Sequence, residues 1–299
     1  MLITPANLLA LRTSFRAEFQ GFFDTAESMV DKIATTIPST TKSNTYGWLN
    51  QFPKFREWIG DRVLKSMAAQ SYVITNKDWE STIDVLRTDI EDDNIGVYKP
   101  LFQEMGRAAK VLADELVFAL LKVGDTTACY DGQYFFDVDH PVYPNVDGTG
   151  IPVVAANFVA GAGPAWYLLD CGRALKPMIY QDRKPPIFTH MTALDDESVF
   201  TSNKFRFGVD ARSNVGFGFW QQAYKSNAAL TDANFNAAYA AMGNLVADGG
   251  RPLGIRPTVL VVPPSLRTAG LDITKAALRN NSTNVNAGVV DLIVTPWVM

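Results

Sequence analysis

Two stretches of the chain repeat apolar residues every three or four positions, the spacing of one face of an α-helix. The first follows Thr4 and Pro5, an N-cap with proline at the first helical position. The second predicts a helix from Lys99 to Val123, capped by Gly124. Such a helix is a rod of about 40 Å, roughly twice the length of an ordinary globular helix. The apolar positions are Leu8, Leu11, Phe15, Phe19 and Phe22 in the first helix, and Leu101 or Phe102, Met105, Ala109, Leu112, Leu116, Ala119 and Val123 in the second.

Between these helices the pattern changes to the two-residue alternation of a β-strand, clearest over Trp79–Val85. A charged and aromatic run, Phe52–Ile59, precedes it, and the polar stretch 35–47 predicts an extended linker. We expect Lys54–Ile90 to form a long two-stranded arm with a turn at Thr75–Asp78. An isolated hairpin is marginal in water, so such an arm needs a packed partner. The pattern therefore favours a protein whose arm is covered by another subunit.

The second half of the chain mixes both periodicities, which predicts an α+β protein. The predicted elements are a β-like segment Ala165–Tyr180 broken at Cys171–Arg173, alternating strands over Ile187–Tyr224, a helix Leu230–Val246, a buried strand Val259–Val262, a helix from Ser265 and a last strand Val289–Pro296. No internal repeat is visible in the sequence.

Composition bounds the class of protein. The 299 residues are 47% hydrophobic and carry a net charge of −4, which argues against a surface dedicated to nucleic acid. Cys129 and Cys171 lie far apart in sequence and outside any CxxC motif, so reduced thiols are favoured over a bridge. The N-terminus lacks the pattern of a signal peptide, and no apolar run reaches the length of a membrane span. These features predict a protein of cytosol-like surroundings.

The strongest metal-like pattern is Asp137, Asp139 and His140, with Cys129 and Asp131 nearby in sequence. A metal site needs three or four converging ligands, and a structural turn explains this pattern more simply. The sequence contains no P-loop, Gly-x-Gly-x-x-Gly motif or nucleophile elbow, and only two histidines. We therefore predict no catalytic, cofactor-binding or metal-binding residues.

Several long strings of residues resemble one known family, the major head subunit of Mu-like phages. They are Ser43–Leu49, Phe55–Arg62, Ile90–Asn94, Tyr130–Asp137 and Gly208–Gly218. The resemblance covers nearly the whole chain. It implies the Hong Kong 97-type capsid fold, an α+β fold with an N-terminal arm, an extended E-loop, a peripheral domain with a long spine helix, and an axial domain. The family has no enzymatic activity.

The resemblance implies a division of the chain, which we place on the sequence patterns. The expected parts are an N-terminal arm (1–50), the E-loop (51–90), the peripheral domain with the spine helix (91–125), a first axial part (126–184), peripheral strands (185–228) and a second axial part (229–299). In the prototype of the fold, the axial helices and strand precede the last peripheral strands. We hypothesise a permuted segment order here.

The implied function is self-assembly into pentamers and hexamers of an icosahedral head that encloses double-stranded DNA. The E-loop residues expected at the subunit interface are Arg56, Trp58, Lys77 and Trp79, and the candidate DNA-facing residues are Arg12, Arg16 and Lys32. Expected partners are further copies of the chain, portal and scaffold proteins, a decoration protein, and DNA held by non-specific contact, with no membrane. The protein is expected in the virion after assembly in the host cytoplasm.

Two other functions are compatible with the patterns alone. An encapsulin-like compartment has the same fold but encloses a protein cargo. An enzyme or lectin with an incidental arm would instead be a folded monomer. Electron microscopy of purified protein distinguishes shells from a monomer, and DNA rather than protein cargo inside the particles would exclude the encapsulin.

Overall fold

The computed structural model describes residues 1–47, 49, 72–279 and 282–299. The predicted strand Phe52–Ile59, with Arg56 and Trp58, lies outside the described residues. The helices are α1 (Pro5–Thr25), α2 (Val30–Ile33), α3 (Arg87–Glu91), α4 (Lys99–Lys122), α5 (Glu197–Ser202), α6 (Asp232–Gly243) and α7 (Arg267–Thr274). The strands are β1 (Ala34–Pro38), β2 (Ser43–Tyr46), β3 (Tyr72–Thr75), β4 (Lys77–Leu86), β5 (His140–Val142), β6 (Val153–Ala155), β7 (Phe158–Val159), β8 (Trp166–Leu169), β9 (Met178–Met191), β10 (Lys204–Phe217), β11 (Ala223–Ser226), β12 (Val246–Ala247), β13 (Arg251–Pro252), β14 (Val259–Val262), β15 (Leu278–Arg279), β16 (Ser282–Thr283) and β17 (Asp291–Val294).

The N-terminal helix forms as predicted and packs on α4 of the same chain. Thr4 caps it by accepting a hydrogen bond from the backbone N–H of Asn7 at 3.2 Å. Phe15 stacks on Phe102 of α4 with ring centroids 4.1 Å apart. Gly106 makes the close crossing possible, because a Cβ there would lie 2.2 Å from the carbonyl oxygen of Phe19. The helix therefore buries Leu8, Leu11, Phe15 and Phe19 within its own subunit, whereas the predicted position Phe22 is exposed.

The long helix α4 confirms the predicted length but not the predicted apolar stripe. Its N-terminal half buries Phe102 and Met105 against α1 and the sheet that contains β10. Its C-terminal half buries Val117, Phe118 and Leu121 in the main core of the chain, whereas Ala119 and Val123 are exposed. A single stripe fails to describe the helix because α4 crosses from one core to another, and its buried face rotates between them.

A four-stranded sheet in the order β1-β9-β10-β4 lies beside the N-terminal half of α4. Strand β4 pairs antiparallel with β10 over its whole length, from Lys77 opposite Ser213 to Leu86 opposite Lys204. The prediction that Trp79–Val85 returns along a free two-stranded arm is therefore wrong. Main-chain pairing within the subunit already covers one edge of this strand.

The predicted turn at Thr75–Asp78 is also wrong. Asn76 is a single buried residue between β3 and β4, and its backbone N–H donates to the carbonyl oxygen of Lys42 at 2.9 Å. The predicted linker 35–47 instead contributes two strands. Strand β1 pairs with β9, and β2 pairs with β3. The described part of the predicted arm, residues 72–90, thus contains β3 and β4, and β3 forms a short ladder with β2.

A five-stranded sheet has the strand order β17-β14-β8-β11-β7. This sheet and α6 contribute buried side chains to the main core of the chain. Its strands β8, β14 and β17 and the helix α6 confirm the sequence prediction within a few residues. A short 3₁₀ turn, Pro264–Leu266, precedes α7 where a helix from Ser265 was expected. The chain passes from the five-stranded sheet to the four-stranded sheet within residues 170–177 and returns within residues 218–222. We had expected the boundaries between these parts at residues 184 and 228. None of the described helices has both the length and the apolar character needed to cross a membrane.

The buried lysine Lys225 joins the five-stranded sheet to the end of α4. Its Nζ lies 2.8 Å from Oδ2 of Asp125 and donates to the carbonyl oxygen of Lys122 at 3.0 Å. The rings of Phe158 and Tyr167 lie 5.8 Å from the same ammonium group. A cation at a helix C-terminus is favoured by the helix dipole. Lys225 is therefore both an ion-pair partner and a cap for α4.

We expect Lys225→Met to lower the free energy of unfolding by about 2–3 kcal/mol, because it leaves Asp125 and the end of α4 without their cation. Urea unfolding followed by circular dichroism measures this loss. The control is Lys204→Met, which breaks the more exposed pair with Asp84 and should cost less than about 1 kcal/mol. Equal losses in the two variants would contradict the role assigned to Lys225.

Candidate assembly surfaces

The base of the predicted arm is fixed to the subunit by a buried polar network around Gln181. The Gln181 amide oxygen accepts from the Tyr46 hydroxyl at 2.7 Å. Its amide nitrogen donates to the Asn76 side-chain oxygen at 2.7 Å and to the carbonyl oxygen of Ile74 at 3.2 Å. Because Gln181 is fully buried on β9, these bonds hold both β2 and β3 against the four-stranded sheet.

The network continues through Asn76 to the chain before β2. The Asn76 side-chain nitrogen donates to Ser39 Oγ at 3.0 Å and to the carbonyl oxygen of Thr41 at 2.9 Å. Ser39 Oγ in turn donates to the side-chain oxygen of Asn44 at 2.9 Å. Every polar group of the buried Asn76 side chain is therefore hydrogen-bonded. The β2–β3 ladder is therefore held firmly against the four-stranded sheet.

Close backbone approach completes this base. A Cβ on Gly216 would lie 2.2 Å from Cδ1 of Ile74, so the Ile74 side chain packs directly on the backbone of β10 at this glycine. The Tyr72 hydroxyl accepts from the backbone N–H of Phe217 at 3.0 Å, and burial raises the pKa of Tyr72 to about 12. Next to it, a Cβ on Gly218 would meet the carbonyl oxygen of Lys176 at 2.5 Å, so two backbone segments approach closely there.

Of the four predicted interface residues, the structure describes Lys77 and Trp79, both on β4. Lys77 is exposed at the start of the strand. Trp79 is half-buried, and its indole N–H donates to the carbonyl oxygen of Ser213 at 3.1 Å. The Trp79 side chain also lines an apolar groove of about 200 Å³ between α4 and the sheet. The other groove-lining residues are Glu80, Ser81, Met105, Ala108, Ala109, Leu112, Glu115, Pro186, Val209 and Ala211.

The three candidate DNA-facing residues occupy the N-terminal part of the chain. Arg16 on α1 and Lys32 on α2 are exposed, whereas Arg12 on α1 is half-buried. Arg12 lines a groove with His190. The pKa of His190 is lowered mainly by its burial and further by the positive charge of Arg12. Among the residues that the structure describes, none of the three cations forms an ion pair with a carboxylate.

The metal-like pattern of the sequence separates into two groups. Asp137 accepts from the backbone N–H groups of Tyr134 and Val138, as expected for a turn residue. A hydrogen bond that protonated Asp139 donates to Asp137 raises the pKa of this exposed Asp139. His140 instead points to Asp131, with Nδ1 and Oδ2 2.7 Å apart. Asp131, rather than Asp137 or Asp139, is therefore the acid beside this histidine.

Large apolar side chains remain exposed at several places. The β5–β6 hairpin exposes Ile151 to 89%, Val153 to 69% and Val154 to 65%. Because Val153 and Val154 point to opposite faces of β6, both faces of this hairpin lack a cover within the described part of the subunit. Phe200 on α5 is 86% exposed. Exposed apolar surface on this scale marks contact with other molecules.

Comparison with known proteins identifies the family. The family described as "Mu-like prophage major head subunit gpT" matches residues 8–298. The major capsid protein of Escherichia phage Mu is 46% identical over 305 aligned positions, which cover 100% of both chains. The Mu-like prophage FluMu major head subunit of Haemophilus influenzae is 50% identical over 281 positions, 93% of this chain and 91% of that protein.

Solved phage capsids have the same fold over the full length. The procapsid subunit of bacteriophage JBD30 superposes with a TM-score of 0.87 and 58% identity, covering 99% of this chain and 100% of that one. The JBD30 capsid subunit gives a TM-score of 0.76 with 46% identity, and both chains are covered completely. These matches establish the α+β fold of Hong Kong 97-type capsid proteins and do not favour the encapsulin alternative. The chain belongs to the Mu-like major head subunits, a family of structural capsid proteins of tailed phages.

Proposed function

We propose that many copies of this chain assemble into pentamers and hexamers of an icosahedral phage head that encloses double-stranded DNA. The observation that carries the proposal is the full-length match to phage capsid subunits. The subunit itself supports it, because it fixes the base of an arm rigidly and leaves large apolar side chains exposed. In this proposal the chain has no enzymatic activity, is assembled in the host cytoplasm and becomes part of the virion.

The proposed parts of the subunit follow from its two sheets. We assign α4 as the spine helix and the four-stranded sheet to the peripheral domain, with the five-stranded sheet as the axial domain. Strands from residues 178–217 belong to the first sheet, and strands from 223–226, 259–262 and 291–294 belong to the second. The order of these segments is consistent with the permuted arrangement that we hypothesised, which remains a proposal.

Large heterologous contacts would close the subunits into rings. We propose that Arg56, Trp58, Lys77 and Trp79 lie in these contacts, and that Arg12, Arg16 and Lys32 contact packaged DNA without sequence preference. Portal and scaffold proteins are proposed partners. One solved JBD30 capsid is decorated with minor capsid protein trimers, and we propose a decoration partner of this kind for the present chain.

The proposal is tested by expressing the full chain and examining the purified material by electron microscopy and sedimentation. We expect closed shells or ring-shaped capsomers at micromolar subunit concentration. A fully folded protein that stays a monodisperse monomer at all attainable concentrations would contradict the proposal and favour the enzyme or lectin alternative.

Trp79 should be an anchor of the subunit contact, because a large half-buried ring beside an apolar groove is typical of interface hot spots. We expect Trp79→Ala to raise the subunit concentration needed for shell formation about tenfold or more. Light scattering during assembly measures this concentration.

The control for this prediction is Lys77→Ala, two residues away on the same strand. Truncating an exposed lysine at the rim of a contact should change assembly little. Circular dichroism must show both variants folded. Assembly of Trp79→Ala at the wild-type concentration would remove Trp79 from the proposed interface.

A further inference from the structure

Three potential metal ligands of different chemical type converge in the segment between α4 and β5. The ligand atoms of Cys129, Asp131 and His140 all lie within 4.8 Å of one another. Cys129 Sγ is 3.1 Å from Asp131 Oδ1, and His140 Nδ1 is 2.7 Å from Asp131 Oδ2. Cys129 is 6% exposed and His140 is fully buried. This is the only such group among the residues that the structure describes.

The surrounding chain holds the three side chains in place. The backbone N–H of Cys129 donates to the carbonyl oxygen of Gln133 at 2.8 Å, which closes a tight turn around Asp131. The backbone N–H of Gln133 donates to Asp131 Oδ1 at 3.1 Å. The His140 ring stacks on Trp220 with centroids 3.9 Å apart and planes within 7°. Contacts outside the cluster thus hold Asp131 and His140 in place, whereas the buried His140 Nε2 has no hydrogen-bond partner among the described residues.

We propose that Cys129, Asp131 and His140 form a site for a zinc ion. Thiolate, imidazole and carboxylate together suit Zn²⁺, whereas calcium and magnesium require a set of oxygen ligands. Zinc bonds of about 2.0–2.3 Å place neighbouring ligand atoms of a tetrahedron about 3.3–3.8 Å apart. The two separations that involve Asp131, 3.1 and 2.7 Å, are to different carboxylate oxygens and lie about 0.5 Å below these values, and every pair of ligand atoms lies within 4.8 Å. Three protein ligands leave the fourth position to water.

Charge and proton balance are consistent with such a buried site. In the metal-free protein, burial and the neighbouring Asp131 raise the pKa of the Cys129 thiol, which is therefore protonated. Zinc binding replaces the thiol proton, which passes to solvent. The neutral imidazole binds through Nδ1 and carries its single proton on Nε2. Two positive charges on the ion then balance one thiolate and one carboxylate, so the buried site has no net charge.

The site would act as a clip on a segment with little secondary structure of its own. Residues 123–139 contain no helix or strand, and this segment joins the end of α4 to β5. Binding that occurs only in the folded state stabilises that state by mass action. Zinc should therefore raise the temperature at which this subunit unfolds, and a chelator should lower it.

Cobalt titration of the full-length protein tests the proposal, because Co²⁺ replaces zinc and a thiolate ligand gives a charge-transfer band in the near ultraviolet. We expect one Co²⁺ per chain with this band, and competition by Zn²⁺. Cys129→Ser should lose the band, and Asp131→Asn should weaken binding by at least about 100-fold. The matched controls are Cys171→Ser, which removes the other thiol, and Asp137→Asn, which removes the acid outside the cluster. Both should bind as the wild type does.

The wild-type spectrum decides the proposal even where a variant fails to fold. Absence of a thiolate band in the wild type would overturn the proposal and leave the cluster as a hydrogen-bonded triad. A band that persists in Cys129→Ser would also overturn it. Metal content of protein purified without chelator, together with unfolding temperature with and without zinc, provides a second readout. No zinc retained and no shift in that temperature would count equally against the site.

Discussion

Replacing Leu112 by proline is expected to abolish shell formation. Leu112 lies in the middle of α4, which contributes buried side chains to both cores. Proline there removes a backbone hydrogen bond and its ring clashes with the preceding turn, at a cost of about 3 kcal/mol or more. Beyond this loss of stability, a kink would uncouple Phe102 and Met105 from Val117, Phe118 and Leu121. Electron microscopy and gradient sedimentation should show no closed particles.

The control for this prediction is Leu112→Ala, which shortens the side chain but keeps a strong helix former. It should cost about 1 kcal/mol and still give shells. Far-ultraviolet circular dichroism separates loss of helix from loss of assembly in both variants. Shells of normal size from Leu112→Pro would show that continuity of α4 is not required.

The longer helices α1, α4 and α6 could be predicted well from the sequence because local signals define their ends, whereas α5 lies inside the stretch Ile187–Tyr224 that we predicted as strands. Thr4 and Pro5 begin α1, and Thr231 caps α6 by accepting from the backbone N–H of Asn234 at 3.3 Å. The burial of α4 could not be predicted, because a periodic pattern assumes that one face meets one partner. The role of Asn76 was missed for a related reason. An asparagine between polar residues indicates a turn, and only the long-range partners Gln181 and Ser39 make it a buried strand connection.

The candidate sites depend on such long-range contacts even more strongly. Sequence proximity favoured Asp137 and Asp139 as neighbours of His140. The chain instead folds back so that Asp131 lies beside His140. A spacing of nine residues between Asp131 and His140 carries no standard metal motif. For the arm, residue type suggested exposed anchors such as Trp79, but strand pairing with β10 could not be inferred. Pairing partners in a sheet are set by tertiary packing rather than by the strand sequence alone.

Replacing Gln181 by leucine is expected to release the base of the arm. The leucine would remove three buried hydrogen bonds of the Gln181 side chain. Their partners are the Tyr46 hydroxyl, the Asn76 side-chain oxygen and the carbonyl oxygen of Ile74. Each unpaired buried group costs about 1–3 kcal/mol, and the losses overlap, so we expect about 3–4 kcal/mol in total. Hydrogen exchange of the amides in β3 should rise by more than the global loss of stability accounts for, because the β2–β3 ladder would open locally.

The matched control is Gln221→Leu, which removes a glutamine that accepts one hydrogen bond, from the Tyr130 hydroxyl at 2.9 Å. It should cost about 1 kcal/mol and leave exchange in β3 unchanged. Because the arm is proposed to reach a neighbouring subunit, Gln181→Leu should also slow assembly under conditions where the isolated subunit is still folded. A variant with normal exchange in β3 but slow assembly would contradict this mechanism, since the defect would then lie outside the arm base.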